Sequence, residues 1–139
     1  MSGRPRVLVM DDELSMRELL EIVLGNDGYE VRTAPDVASA RDLLMKESFD
    51  AVITDLRIGT ERNAGMQLLT WTGEHARSTP VIMITAHGSV ESAIDAMKRG
   101  AADYILKPFK NDEIRLLVRR AIEQRDLRRE NQALRNDQS

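Results

Sequence analysis

The chain has 139 residues, of which 42% are hydrophobic and 31% charged, with a formal net charge of −3 and no cysteine. That length suits one compact domain with its own core, and the composition excludes a disordered chain, a disulfide framework and thiolate metal sites. No apolar run is long enough for a membrane helix, MSGRPRVLVMDDE carries no export signal, and the slight acidity offers nucleic acid no general attraction, so a cytoplasmic protein is expected.

Short β-type runs alternate with helical patterns, which predicts five βα units around a parallel sheet. The first strand is expected over 6–10, followed by a helix with a Ser15/Glu18 capping box and Met16, Leu19, Leu20, Val23 and Leu24 on one face. Gly25 and Gly28 should stop it. A second strand over 30–33 precedes a helix capped by Asp36 and running to about Lys46, and the wholly apolar run 51–54 reads as a third, central strand.

The polar loop RIGTERNAG leads to a third helix over 66–75, and 81–84 forms the fourth strand. Ser89 caps the next helix, in which Val90, Ala93, Ile94 and Met97 recur at helical spacing, and Gly100 is placed for a left-handed C-terminal cap. A fifth strand covers 104–106. The last helix starts near Asp112 and meets no Gly or Pro, so it is expected to outgrow the domain. Ile114, Leu117, Val118, Ala121 and Ile122 form its sheet-facing stripe. Beyond them Leu127 and Leu134 lie one heptad apart with Asn131 between, a pattern that sets register in dimeric coiled coils; a solvated, charged helix end is the plainer reading of the same residues. The expected division is a domain over 1–125 and a helical extension over 126–139.

Four predicted strands end in polar residues of different kinds: Asp11 and Asp12, Asp55, Thr85, and Lys107. In a parallel α/β sheet the carboxyl ends of the strands share one edge, so these residues should converge. Three carboxylates in one pocket repel each other and raise their pKa values unless a cation intervenes, and a hard divalent ion such as Mg²⁺ is the natural partner. Asp55 could then attack phosphorus, with charge on the transferring group met by an ammonium and a hydroxyl. Taken singly, each residue has an ordinary alternative: a helix-start acid, a loop acid, a turn former, a solvated lysine. Those alternatives do not account for complementary groups at the ends of four strands.

With VLVMDDE, VITDLR, VIMITAHG and DYILKPF in this order, the chain resembles the response-regulator receiver domains of bacterial two-component signalling over about residues 6–125. The resemblance implies a doubly wound (βα)5 fold with strand order 2-1-3-4-5, flavodoxin/CheY-like, and a switch protein in place of a turnover enzyme. It implies that Asp55 accepts a phosphoryl group from a sensor histidine kinase, that Asp11, Asp12, Asp55 and the Arg57 backbone carbonyl hold Mg²⁺, and that Thr85, Ala86 and Lys107 hold the phosphoryl oxygens. Lys107–Pro108 is expected to be cis. Tyr104 is expected to turn inward as Thr85 moves, reshaping the surface of the fourth helix, fifth strand and fifth helix through which a homodimer would form.

The segment TAHGSVESAIDAMKRGAADYILKPF with RRENQALR looks most like receivers of sigma-54-dependent transcription activators, where a helical linker leads to an ATPase domain and a DNA-binding domain. No Walker-type phosphate motif or helix-turn-helix follows, so either a fragment of such an activator or a stand-alone receiver is expected, with no direct nucleic-acid contact and no membrane partner. An aspartyl-nucleophile phosphohydrolase is disfavoured because Arg57 stands where a general acid would be needed. From Asp112 onward seven arginines face six acids, a balance of solvated helix pairing and not of DNA binding. One stretch departs from the family: receivers commonly carry a Met-Pro-Gly-like turn after the acceptor, whereas Ile58-Gly59-Thr60-Glu61-Arg62-Asn63-Ala64 lacks the proline and puts Gly65 ten positions past Asp55. Neutral length variation and an altered phosphoryl lifetime or kinase docking are both open readings of that loop.

Overall fold

Strands and helices alternate along the chain in the computed structural model, which describes residues 3–86 and 88–138. They run β1 (Arg6–Met10), α1 (Leu14–Asn26), β2 (Glu30–Ala34), α2 (Val37–Lys46), β3 (Ala51–Asp55), α3 (Ala64–His75), β4 (Val81–Thr85), α4 (Val90–Lys98), β5 (Asp103–Leu106) and α5 (Asn111–Gln138). All four strand pairings are parallel and the order is β2-β1-β3-β4-β5, with β3 at the centre. Strand order reverses between β1 and β3, so the crevice characteristic of this topology opens at their carboxyl ends.

Side chains alternate between two cores. Leu8, Met10, Val52 and Met83 meet Ala40, Leu68, Leu69 and Ala96 from α2, α3 and α4. Val7, Val9, Ile53, Ile82 and Ile84 meet Leu20, Val23 and Leu24 of α1 and Ile114, Val118, Ala121 and Ile122 of α5. A sheet covered on both faces needs unbroken apolar strands, and β3 and β4 are buried along their whole length.

Helix starts follow the sequence in two cases and depart from it in one. Asp36 accepts the Ser39 amide at 2.8 Å, and Ser89 caps α4 by accepting the Ser92 amide at 3.0 Å while Ser92 Oγ accepts the Ser89 amide at 2.9 Å. The expected Ser15/Glu18 capping box does not form. α1 already begins at Leu14, with Glu13 at its cap and no side-chain cap bond; Asp11 instead turns its Oδ1 to the Glu13 amide at 2.9 Å, and the helix starts two residues earlier. Leu19 consequently lies toward solvent. Gly25 is inside α1, and the reversal comes at Gly28, whose amide bonds the Gly25 carbonyl. Gly100 ends α4 as expected, with Ala101 N bonded to Ala96 O.

The apolar repeat of α4 meets the core at Ala96, while Val90, Ile94 and Met97 are 76%, 50% and 48% exposed. The helix presents its larger apolar side chains outward. α5 has 28 residues, roughly 42 Å of helix, and its burial ends at Arg125. Arg125 is bolted to the base of β3: Nη1 lies 2.7 Å from Asp50 Oδ1 and Nη2 2.8 Å from Asp126 Oδ1. Burial works against its charge, but the bonds to Asp50 and Asp126 outweigh it and raise the pKa further. Leu127 and Leu134 beyond it are exposed.

The Ser39 amide holds the Asp36 carboxyl below its usual pKa. A depressed folded-state pKa means that the cap's contribution is complete above the ordinary carboxylate range and is lost as pH falls through the depressed value. Asp36→Ala should therefore cost about 1 kcal/mol at neutral pH, and urea denaturation should show that cost fading in acid.

Candidate functional site

The strand register delivers the polar residues to one place. Met10 of β1 lies beside Thr54 of β3, so Asp11 and Asp55 follow as neighbours; Asp55 lies beside Ile84, and Thr85 beside Leu106, the residue before Lys107. Lys107 Nζ sits 2.9 Å from Asp11 Oδ2 and 2.9 Å from Asp55 Oδ2. All three side chains are nearly withdrawn from solvent, at 11%, 4% and 8% exposure. Glu13 Oε1 reaches the same ammonium at 4.0 Å from the rim.

Burial pushes the Asp11 carboxyl up, opposed by the Glu13 amide and by Lys107; the charge of Asp55 adds only the smallest push. Repulsion between the two acids is expected to raise their pKa values unless a cation intervenes, and the ammonium of Lys107 stands between them. Lys107 is raised in turn: burial opposes its charge, and the hydrogen bonds it donates to Asp55 and Asp11 overcome that.

Asp12 completes the acidic group from an exposed position. One carboxylate oxygen from each of Asp11, Asp12 and Asp55 lies within 4.8 Å of the others, close enough to share an ion. Hard oxygen donors on an open rim fit a cation of the Mg²⁺ kind, which keeps positions for water or phosphate oxygens. Further bonds order the pocket: Arg17 Nη1 donates to the Asp11 carbonyl at 2.7 Å, the Arg57 amide to Asp55 Oδ1 at 3.2 Å, and the Gly59 amide to Asp12 Oδ2 at 2.9 Å.

Thr85 is buried and its carbonyl accepts the Lys107 amide at 2.9 Å, while Ala86 follows it into solvent. The Lys107–Pro108 peptide is cis. Tyr104 is half-buried, with its hydroxyl 2.8 Å from Ser92 Oγ in the α4 capping box. The neighbouring Gly88 leaves the room that hydroxyl uses, since a Cβ there would come within 2.6 Å of it. A surface cleft of about 600 Å³, lined by Arg41, Trp71, Glu74 and Arg99 among others, shares none of these residues.

Several members of the site escaped the sequence reading. Gly65 is one: a Cβ would lie 2.5 Å from the Asp55 carbonyl oxygen and 2.9 Å from Leu56 Cα, so only glycine lets α3 sit against the end of β3. Its spacing from Asp55 hinted at this. Nothing in the spacing pointed to the Gly59–Asp12 or Ser92–Tyr104 bonds.

Comparison with known proteins gives a consistent result. The family model described as "Response regulator receiver domain" matches residues 7–119. The response regulator protein PilR of Pseudomonas aeruginosa is 41% identical over 124 residues, which are 89% of this chain and 27% of PilR. Among solved structures, NtrX from Brucella abortus superposes with a TM-score of 0.87 at 38% identity, covering 94% of this chain and 30% of that one. The beryllofluoride-activated NtrC4 receiver domain dimer gives a TM-score of 0.81 at 32% identity, covering 86% of this chain and 98% of that one. The chain thus spans about a quarter of the length of the curated relative it matches.

The two glycines of α3 should respond in opposite directions. Gly65→Ala forces a methyl against the end of β3 and should cost about 1–3 kcal/mol. Gly73→Ala meets nothing within 4 Å and should gain up to about 1 kcal/mol through helix propensity. Thermal unfolding of the two variants checks both signs.

Proposed function

The chain belongs to the response-regulator receiver family, and from that premise we propose that Asp55 is its phosphoryl acceptor. The carrying observation is the ammonium of Lys107 held 2.9 Å from both Asp55 Oδ2 and Asp11 Oδ2 beside a third carboxylate. In this reading a carboxylate oxygen of Asp55 attacks the phosphorus of a phosphohistidine on a sensor kinase. A new O–P bond forms, the P–N bond breaks, and its electron pair leaves with the imidazole. Lys107 is within reach to follow the charge from the carboxylate to a phosphoryl oxygen, and the Thr85 hydroxyl and Ala86 backbone supply donors for the others. When bound by Asp11, Asp12, Asp55 and the Arg57 carbonyl, Mg²⁺ would offset the negative charge of acids and phosphoryl group together. Arg57 stands two positions past Asp55, where a turnover enzyme of this chemistry would need a carboxylic acid, so rapid turnover on an outside substrate is not expected.

The output reading rests on the other end of the site. Tyr104 is the proposed switch aromatic, and its bond to Ser92 ties it to the first turn of α4. Val90, Ile94 and Met97 of α4, Leu106 of β5 and Leu116 of α5 are exposed apolar residues around it, which supports a self-association face of α4, β5 and α5. The likeness to the NtrC4 receiver domain dimer favours it. Residues 1–125 form the proposed receiver unit and 126–139 a helical linker whose Leu127, Asn131 and Leu134 extend the dimer. The protein would act in the cytoplasm, without touching nucleic acid or membrane itself, to control the output domain of a sigma-54-dependent activator. A stand-alone receiver or phosphorelay member is the second reading.

Two measurements test this. With Mg²⁺ and a small phosphodonor, intact-mass analysis should find one added phosphoryl group on the wild type and none on Asp55→Asn; uptake by the variant would reject Asp55. Ending the chain after Arg125 should weaken self-association in sedimentation velocity, and an unchanged profile would reject a role for the extension.

A further inference from the structure

The loop that departs from the family pattern is an ordered hairpin with one donor aimed at the acidic pocket. Ile58 N donates to Glu61 O at 3.0 Å and Glu61 N to Ile58 O at 2.8 Å, which closes a two-residue turn over Gly59 and Thr60. The turn requires positive φ, and Gly59 has φ 58°. Three further contacts hold the hairpin to the domain. Ile58 packs against the core under α2 and α3, Glu61 Oε1 accepts Gln67 Nε2 of α3 at 3.1 Å, and the Gly59 amide reaches across to Asp12 Oδ2 at 2.9 Å.

That last bond bears on the one carboxylate of the three that Lys107 does not hold. Asp11 and Asp55 are positioned by the buried ammonium, whereas Asp12 is exposed and has the Gly59 amide as its partner across the site. An exposed aspartate otherwise samples several rotamers. An ionised carboxylate offers about four lone-pair positions, so one amide fixes its orientation and leaves the others for a cation. A proline in this turn would have no N–H to give.

We propose that Gly59 is a positioning residue for cation binding: the 58–61 hairpin holds Asp12 in the orientation that lets it share a divalent ion with Asp11 and Asp55. This rests on the reading of the pocket as an Mg²⁺ site. The amide acts through Asp12 and does not itself touch the ion. Hydrogen-bond partners of ligating groups commonly change metal affinity by about 10–100-fold, so the hairpin tunes how readily the pocket loads before any phosphoryl donor arrives.

The test uses the whole chain and Mg²⁺ alone. Gly59→Asn keeps the amide and tolerates positive φ; Gly59→Val is strained there and should open the turn. Calorimetric titration should give Gly59→Val a Kd about 10-fold weaker than wild type or more, with Gly59→Asn remaining close to wild type. Because the valine variant could unfold, a second measurement uses the native glycine. Amide exchange at Gly59, followed by NMR without metal, should quicken in Asp12→Ala and stay unchanged in Arg57→Ala. An unaltered Mg²⁺ Kd in folded Gly59→Val, or exchange at Gly59 indifferent to Asp12→Ala, overturns the proposal. Failure of the wild type itself to bind Mg²⁺ would instead overturn the reading of the pocket.

Discussion

One ammonium between two buried carboxylates is the interaction on which the rest of this structure depends. Lys107 lies 2.9 Å from both Asp11 and Asp55, with all three side chains nearly out of solvent. Burying an acid alone is costly enough that it would take up a proton instead. Two acids and a lysine from β1, β3 and the end of β5 make the cluster tolerable, and they meet only because a parallel sheet brings the carboxyl ends of its strands to one edge. Removing one partner from such a group typically leaves an uncompensated charge worth about 3–5 kcal/mol. The chemistry and the stability of that edge are therefore hard to separate.

Around the cluster, the loops are shaped by what the pocket needs from the backbone. Asp11 both faces Lys107 and accepts the Glu13 amide, so the acid that forms the site also starts α1. Gly65 admits α3 against the end of β3, where any side chain would meet the Asp55 carbonyl. Between them the 58–61 hairpin spans from β3 to Asp12. What looks in sequence like a loop of altered length is, in three dimensions, a strap between two parts of one pocket.

A second set of constraints ties β5 to α4 and α5 to β3. Tyr104 shares a hydrogen bond with Ser92, and Ser92 belongs to the capping box of α4. The first turn of that helix and the aromatic of β5 are thus tied to each other, under exposed Val90, Ile94 and Met97. At the opposite edge, Arg125 anchors α5 to Asp50 at the start of β3, the same strand that ends in Asp55. The helix leaves the domain from a fixed point, with its heptad leucines in solvent.

The alternation of elements, the five-unit fold, the identity of the strand-end residues and the caps at Asp36, Ser89 and Gly100 were legible in the sequence, because each rests on local periodicity or a short-range hydrogen bond. So was the likeness to receivers, carried by motifs at the four strand ends. Local signals failed where another contact, near or far in sequence, competed. Asp11 displaced the expected Ser15 cap, and α4 turned an apolar repeat toward solvent because only Ala96 meets the core. Which charges neutralise one another, which glycine needs its missing side chain, and which amide holds Asp12 were decided by tertiary structure alone. Each depends on a distance between segments far apart in sequence, and those distances exist only once the sheet has brought its strand ends together.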